Sequence, residues 1–245
     1  MRKRRLCRID KNGCIACGGP RFEQREVIND ALAAAWELSA QERSDFDERE
    51  GHACSACQMS KRVRMLLWSV RRLLSASTNL RILHFNQINH LGPLLRTLGD
   101  VTETCYQPGL ERGTRVGELV NEDICQLTFP SDHFDVTIHS ETLEHLFDFS
   151  KGLSEVERVL RPGGLQIYTV PLLHNRSTRR RMQQASDGRI LPILPPSYHG
   201  NEGEFPVVWE FGSDFFEQRK SRISEQHYDN YWHNKTVFTV VERKP

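Results

Sequence analysis

The clearest hydrophobic patterning lies in the second half of the chain. Phe134, Val136 and Ile138 open a mostly apolar run, Phe134-Asp-Val-Thr-Ile-His-Ser140, suited to a strand buried on both faces. After Ser140 the period changes: Leu143, Leu146, Leu153, Val156, Val159 and Leu160 recur near helical spacing, which predicts a helix over Glu141–Leu160. Pro162-Gly163-Gly164 then stops it, because Pro cannot continue a helix and Gly accepts positive φ. Leu165-Gln-Ile-Tyr-Thr-Val-Pro171 reads as a second strand. Strand, helix, turn and strand in this order make a parallel βαβ step.

Further elements follow from the same reading. Arg81-Ile-Leu-His-Phe-Asn86 predicts a first strand, Asp100–Tyr106 a second, and Phe238-Thr-Val-Val-Glu a last one. A helix is expected near His90–Leu98. Upstream, Ser60–Leu74 is amphipathic: Ser60 can cap it, Val63, Leu66, Leu67, Val70 and Leu74 share a face, and Arg64, Arg71 and Arg72 point elsewhere. It is expected to pack the N-terminal segment on the main domain. Glu23–Leu38 is another helix candidate, with Val27, Ile28, Ala31, Leu32, Ala35 and Trp36 as its apolar side. The expected organisation is a small module over residues 1–75 and a main domain over 76–245.

Composition narrows the class. The 245 residues, 38% hydrophobic and 27% charged, suit one large core with a small appendage. A formal net charge of +1 supplies no global drive toward nucleic acid or membrane. The basic start, Met1–Arg8, reads as a solvated terminus. No run of about 20 apolar residues predicts a membrane span, and no apolar signal region opens the chain. Seven cysteines without a secretory signal point to reduced thiols or bound metal in a cytoplasmic protein.

Four of those cysteines form two Cys-x-x-Cys knuckles, Cys14-Ile-Ala-Cys17 and Cys54-Ser-Ala-Cys57. Gly13 and Gly18-Gly19 supply the tight turn that aims two sulfurs at one ion. Four thiolates make a closed tetrahedral Zn2+ site, which leaves no open position and implies a structural role. The alternative is four ordinary reduced cysteines. A redox pair is disfavoured, since neither knuckle sits on a thioredoxin-like βα step. His52, beside Cys54, could replace a sulfur but reads more simply as a surface residue, and Cys105 and Cys125 read as small buried ones.

The run from Phe134 to Pro171, preceded by Asp123-Ile-Cys-Gln-Leu-Thr-Phe-Pro130, resembles the central region of class I S-adenosylmethionine-dependent methyltransferases. A subgroup with a strand reading Ile82-Leu-His84, followed by Phe85 where a glycine loop is usual, is especially similar. It also carries Pro196-Ser-Tyr-His-Gly200 and Trp209-Glu-Phe-Gly-Ser-Asp214, so the likeness covers roughly residues 80–216. The resemblance implies an α/β fold: a Rossmann-like, doubly wound, mostly parallel seven-stranded sheet with its last strand antiparallel, beside the small N-terminal zinc-binding module.

It also implies S-adenosylmethionine as cofactor and a set of site residues. His84, Phe85 and Asn86, with Gln87 and Asn89, stand at the methionine end, and the helix after His90 offers N–H groups to the carboxylate. Tyr106 is matched to a cofactor contact. Cys105 occupies the position where an acid usually holds the ribose, and Glu103 lies about 7 Å back along the strand. Asp123 would accept from the adenine amino group, with Ile124 against the ring. Ser140 and His145 sit where open α/β sheets place ligands, although Glu144-His145 equally fits a structural helix start.

Residues 171–206 read as an insert that lids the site and shapes the acceptor pocket. Tyr198, His199 and Glu210 are its candidate acceptor contacts. His199 is a candidate general base, with an ordinary pKa of about 6.5, or a loop anchor; the anchor role is favoured for Tyr198. Arg176-Ser-Thr-Arg-Arg-Arg181 reads as a solvated face, or a surface for an anionic acceptor. The expected reaction is methyl transfer to a small-molecule acceptor, a natural-product or saccharide-like intermediate. An RNA methyltransferase and a non-catalytic, zinc-stabilised interaction protein are the alternatives.

Overall fold

Nine strands pair into one sheet in this computed structural model, which describes residues 3–86, 88, 91–199, 205–229 and 237–245. In chain order the main strands are β1 (Lys3–Cys7), β2 (Leu80–Phe85), β3 (Gly99–Cys105), β4 (Leu119–Asn121), β5 (Phe134–Ser140), β6 (Leu160–Thr169), β7 (Ile223–Asp229) and β8 (Phe238–Arg243). Across the sheet the order is β1-β7-β8-β6-β5-β2-β3-β4, with Arg115–Val116 on the far edge. β2 to β6 pair in parallel, and β8 runs antiparallel to both its neighbours. Seven strands thus form the expected doubly wound frame, and a short strand extends each edge. Every residue of β5, at the centre, is buried.

The helices are α1 (Asp30–Ala35), α2 (Ala40–Phe46), α3 (Lys61–Leu74), α4 (Leu91–Arg96) and α5 (Phe149–Val159), with one further short turn at Phe215–Gln218. α3 behaves as its pattern predicts on one side. Ser60 caps it, and Val63, Leu66, Leu67, Val70 and Leu74 pack on Ile82, Val136, Ile138, Ile167 and Val241 of the sheet. Its other side departs from expectation. Arg64 is fully buried, held by Asp10 at 2.7 and 3.0 Å and by the Met59 carbonyl, because the cysteine-knuckle segment covers it.

Several boundaries move for identifiable reasons. The basic start is not a frayed end: β1 pairs in parallel with β7, and Arg5 meets Glu225 at 2.5 Å. The Glu23–Leu38 helix is shorter than predicted. Phe22–Gln24 instead pairs with His52–Cys54, and the helix starts only where Asn29 caps it by accepting the Leu32 N–H. The Glu141–Leu160 helix is interrupted, since Glu141 takes a left-handed φ of 49° and Leu143–His145 forms a single 3-10 turn. α5 begins after Asp148, whose carboxylate accepts the Lys151 N–H at 2.9 Å. The hydrophobic pattern does not locate β7, whose Gln226 and His227 are polar yet fully buried.

Candidate active site and metal centre

The two cysteine knuckles come together. Cys14 Sγ lies 3.7 Å from Cys57 Sγ, and Cys17 Sγ lies 3.6 Å from Cys54 Sγ. Four sulfurs about 2.3 Å from one tetrahedral ion would stand about 3.8 Å apart, so the cluster fits zinc. The two knuckles share one backbone design. In each, the residue after the second cysteine takes positive φ, 74° at Gly18 and 60° at Gln58, and returns its N–H to the first cysteine's carbonyl. Gly19 packs against the sulfurs: an added Cβ would stand 3.2 Å from Cys54 Sγ and 3.3 Å from Cys17 Sγ. Burial works against the charged form at Cys54, but backbone N–H groups at Cys57 and Ala56 outweigh it and bring that thiol down to about 7. Ile15, Ala16 and Cys57 pack on the core beside α3, which mounts the centre on the main domain.

At the carboxyl end of β2, Asn86 takes the left-handed conformation, with φ of 52°, and its N–H donates to the Thr104 carbonyl at 3.2 Å. Asn tolerates this region better than most side chains, so it stands in for the glycine missing from the loop. His84 is fully buried, with Nδ1 3.0 Å from Glu103; Nε2 has no hydrogen-bond partner among the described residues. Burial opposes ionisation of Glu103, yet hydrogen bonds from Arg96 and His84 hold its carboxyl below the usual range. Glu103 is therefore committed inward, to His84 and Arg96. Gln87, Asn89 and His90 lie outside the described residues.

Tyr106, just past β3, is 56% exposed. Beside it, Asp123 folds into a turn in which its carboxylate accepts the Cys125 N–H at 2.8 Å, while Ile124 is buried with Leu83 and Phe85. Ser140 ends β5. Its hydroxyl lies 2.6 Å from Thr169 Oγ1 and accepts from Arg62 of α3, whose Nε donates to Glu50 at 2.7 Å. Arg49 faces Glu141 at 3.5 Å. Periodicity does not single out Arg62, Arg49 or Glu50; only the chain's path past the sheet end brings them there.

The described residues of the 171–206 segment, expected as a lid, show the largest departure. The arginine run is not a solvated face. Arg179 and Arg181 both donate to Glu210, and Arg181 is fully buried. Glu210, expected as an acceptor contact, is itself buried and saturated by these arginines, so it anchors the lid. Arg176 reaches Glu42 at 3.0 Å and the carbonyls of Trp36 and Glu37, so the N-terminal segment clamps the same loop. Tyr198 pairs its backbone with Pro206. Gly200 lies outside the described residues.

His199 stands beside the β5 end. Its Nδ1 is 3.1 Å from His145 Nε2, and its ring stacks on Trp36. Burial, with His145 next to it, pushes His199 down to about 4. Burial, with Glu141 nearby, drives Glu144 well above the ordinary carboxyl range. The structure shows Glu144 as a fully buried carboxyl between two histidines.

Residues 93–168 match the family model described as a methyltransferase domain. A probable S-adenosylmethionine-dependent methyltransferase of Mycolicibacterium smegmatis is 35% identical over 85 residues, 35% of this chain and 29% of that protein. The ubiquinone/menaquinone biosynthesis C-methyltransferase of Hydrogenovibrio crunogenus is 31% identical over 103 residues, 40% of this chain and 39% of that protein. The chain thus spans about a third of these relatives' length. A solved Burkholderia thailandensis 1,6-didemethyltoxoflavin N1-methyltransferase superposes with a TM-score of 0.49 at 13% identity, covering 75% of this chain and 78% of that one. The domain match and the named relatives support a class I S-adenosylmethionine-dependent methyltransferase domain over the matched part of the chain.

Proposed function

We propose that this protein binds S-adenosylmethionine at the carboxyl ends of β2, β3 and β5 and transfers its methyl group to a small-molecule acceptor. The observation that carries this reading is Asn86, which builds the left-handed turn at the end of β2 without glycine. Phe85 and Asn86 border the methionine end, where the unpartnered Nε2 of His84 offers one further polar atom. Tyr106, Asp123 and Ile124 line up for the adenosine, with one oxygen of Asp123 used by its own turn. Ser140 and Arg62 lie at the end of β5, where a guanidinium suits the cofactor carboxylate. The bound cofactor supplies an electrophilic methyl on a sulfonium; the protein's part is to align the acceptor and exclude water.

The acceptor side belongs to the lid. His145, Tyr198 and His199 border it, and His199, neutral at physiological pH, is the candidate group to take an acceptor proton. Zinc at the four cysteines has a structural part: the knuckles steady the segment that clamps the lid. No helix among the described residues is long and apolar enough to cross a membrane.

Isothermal calorimetry with S-adenosylmethionine and S-adenosylhomocysteine tests the reading. Micromolar binding that Asn86→Val weakens at least tenfold is expected. A specific feature favours a second reading: among the described residues the acid near the β3 end, Glu103, is bound to His84 and Arg96. Folded, zinc-loaded protein that binds neither ligand would be a non-catalytic relative.

A further inference from the structure

Three donor atoms meet where the lid touches the sheet. His145 Nε2 lies 3.1 Å from His199 Nδ1, and Glu144 Oε1 lies 3.6 Å from the first and 3.8 Å from the second. A triangle with those sides has a centre about 2.0 Å from each corner, the length of a Zn–N or Zn–O bond. Unrelated side chains seldom leave a single point at bonding distance from three donors.

Each donor is prepared for such an ion. His145 Nδ1 stands 2.9 Å from the Pro206 carbonyl oxygen. A carbonyl only accepts, so Nδ1 carries the ring proton and Nε2 presents its lone pair to the cluster. Donation of the second ring N–H to a carbonyl is the usual way a ligating imidazole is oriented. Neither oxygen of Glu144 has a hydrogen-bond partner among the described residues, although its side chain is fully buried. A carboxylate in that state is costly unless a cation neutralises it. The arginines nearest in the fold are engaged elsewhere, Arg62 by Glu50 and Ser140 and Arg49 by Glu50. His199 leaves an accessible side, its side chain being 40% exposed, as in centres that keep a coordination position for water or substrate.

We propose that Glu144, His145 and His199 bind one divalent transition-metal ion of the zinc, cobalt and manganese class, pinning the lid to the end of β5. Two imidazoles and one carboxylate match the preferences of those ions and not those of calcium. The four cysteines lie in a separate cluster, and the inference stands whether or not the protein transfers methyl groups.

The test uses the full chain loaded with one zinc per molecule at the cysteines, titrated with Co2+ and followed by visible absorption. One further equivalent is expected to bind with the weak bands of nitrogen and oxygen ligation, without intense thiolate charge-transfer bands. His199→Gln and Glu144→Gln should each weaken that binding at least tenfold, while the first zinc stays in place and the far-ultraviolet circular dichroism is unchanged. His199 is partly exposed, so its variant keeps the test usable even if Glu144→Gln does not fold. Failure to bind a second equivalent, or full affinity in His199→Gln, would overturn the proposal and leave a simple His199–His145 hydrogen bond. Cofactor calorimetry on the same samples reads methyl-donor binding separately.

Discussion

The indole N–H of Trp36 donates to the hydroxyl of Ser197 at 2.6 Å, joining the N-terminal segment to the lid across most of the chain. Trp36 also stacks on His199 and lies under the Arg181 guanidinium. Trp36→Ala should lower unfolding stability by about 3–5 kcal/mol, from lost packing and a cavity. Trp36→Phe should cost about 1 kcal/mol, the hydrogen bond alone. Urea denaturation measures both, and no loss in Trp36→Phe would show that the hydroxyl contact contributes nothing.

At Asn86 the backbone sets the outcome. Asn86→Gly is expected to keep both fold and cofactor affinity, since glycine enters the left-handed region freely. Asn86→Val should cost about 1–3 kcal/mol and lose cofactor binding. Paired calorimetry and denaturation on the two variants decides it; an unaffected valine variant would remove the turn from the cofactor argument.

Elemental analysis of protein purified without added metal should find zinc at one equivalent or more per chain. Cys54→Ser is expected to weaken retention of the tightest zinc by ~100-fold or more, because a closed four-thiolate centre loses a ligand. Chelation should expose the Ile15 and Ala16 face of the module to proteolysis before the main sheet is cut. Simultaneous digestion of both parts would contradict a local stapling role.

The carboxylate of Glu210 neutralises two arginines inside the lid. Glu210→Ala should destabilise the protein by about 3–5 kcal/mol, mainly by leaving Arg181 buried and uncompensated. The double variant Glu210→Ala with Arg181→Met should recover much of that loss. No recovery in the double variant would mean that the pair is not coupled.

Acid should destabilise this fold early. His139 is buried in β5, accepts the Gln166 amide N–H at Nε2 across 2.8 Å, and is pushed down to about 3 by burial. The unfolded chain takes up that proton near pH 6.5 and the folded chain only near 3. Its contribution is therefore fully present above about pH 6.5 and is lost as pH falls toward 3, at up to about 1.4 kcal/mol per pH unit. Burial lowers His84 and His227 in the same direction, so they add to the slope. Denaturation midpoints between pH 7 and pH 5 measure it, and His139→Gln should flatten the dependence.

The amino-acid order alone carried the sheet strands of the βαβ step, the Ser60-capped helix and the two cysteine knuckles. Each rests on local rules: side-chain period, turn residues and ligand spacing hold wherever the segment ends up. Tertiary structure alone decided the fate of the charged groups. Arg64, Arg181 and Glu210 read as solvent-facing or substrate-facing in one dimension, yet all three are buried and paired. β7 is hidden for the same reason: His227 is buried against Ser69 and Glu225, and the Gln226 side-chain carbonyl oxygen accepts from the Tyr228 hydroxyl. The meeting of Glu144 and His145 with His199, and of Trp36 with the lid, depends on chain closure over long separations. Such contacts leave no periodic trace, because geometry in space, not spacing along the backbone, brings the partners together.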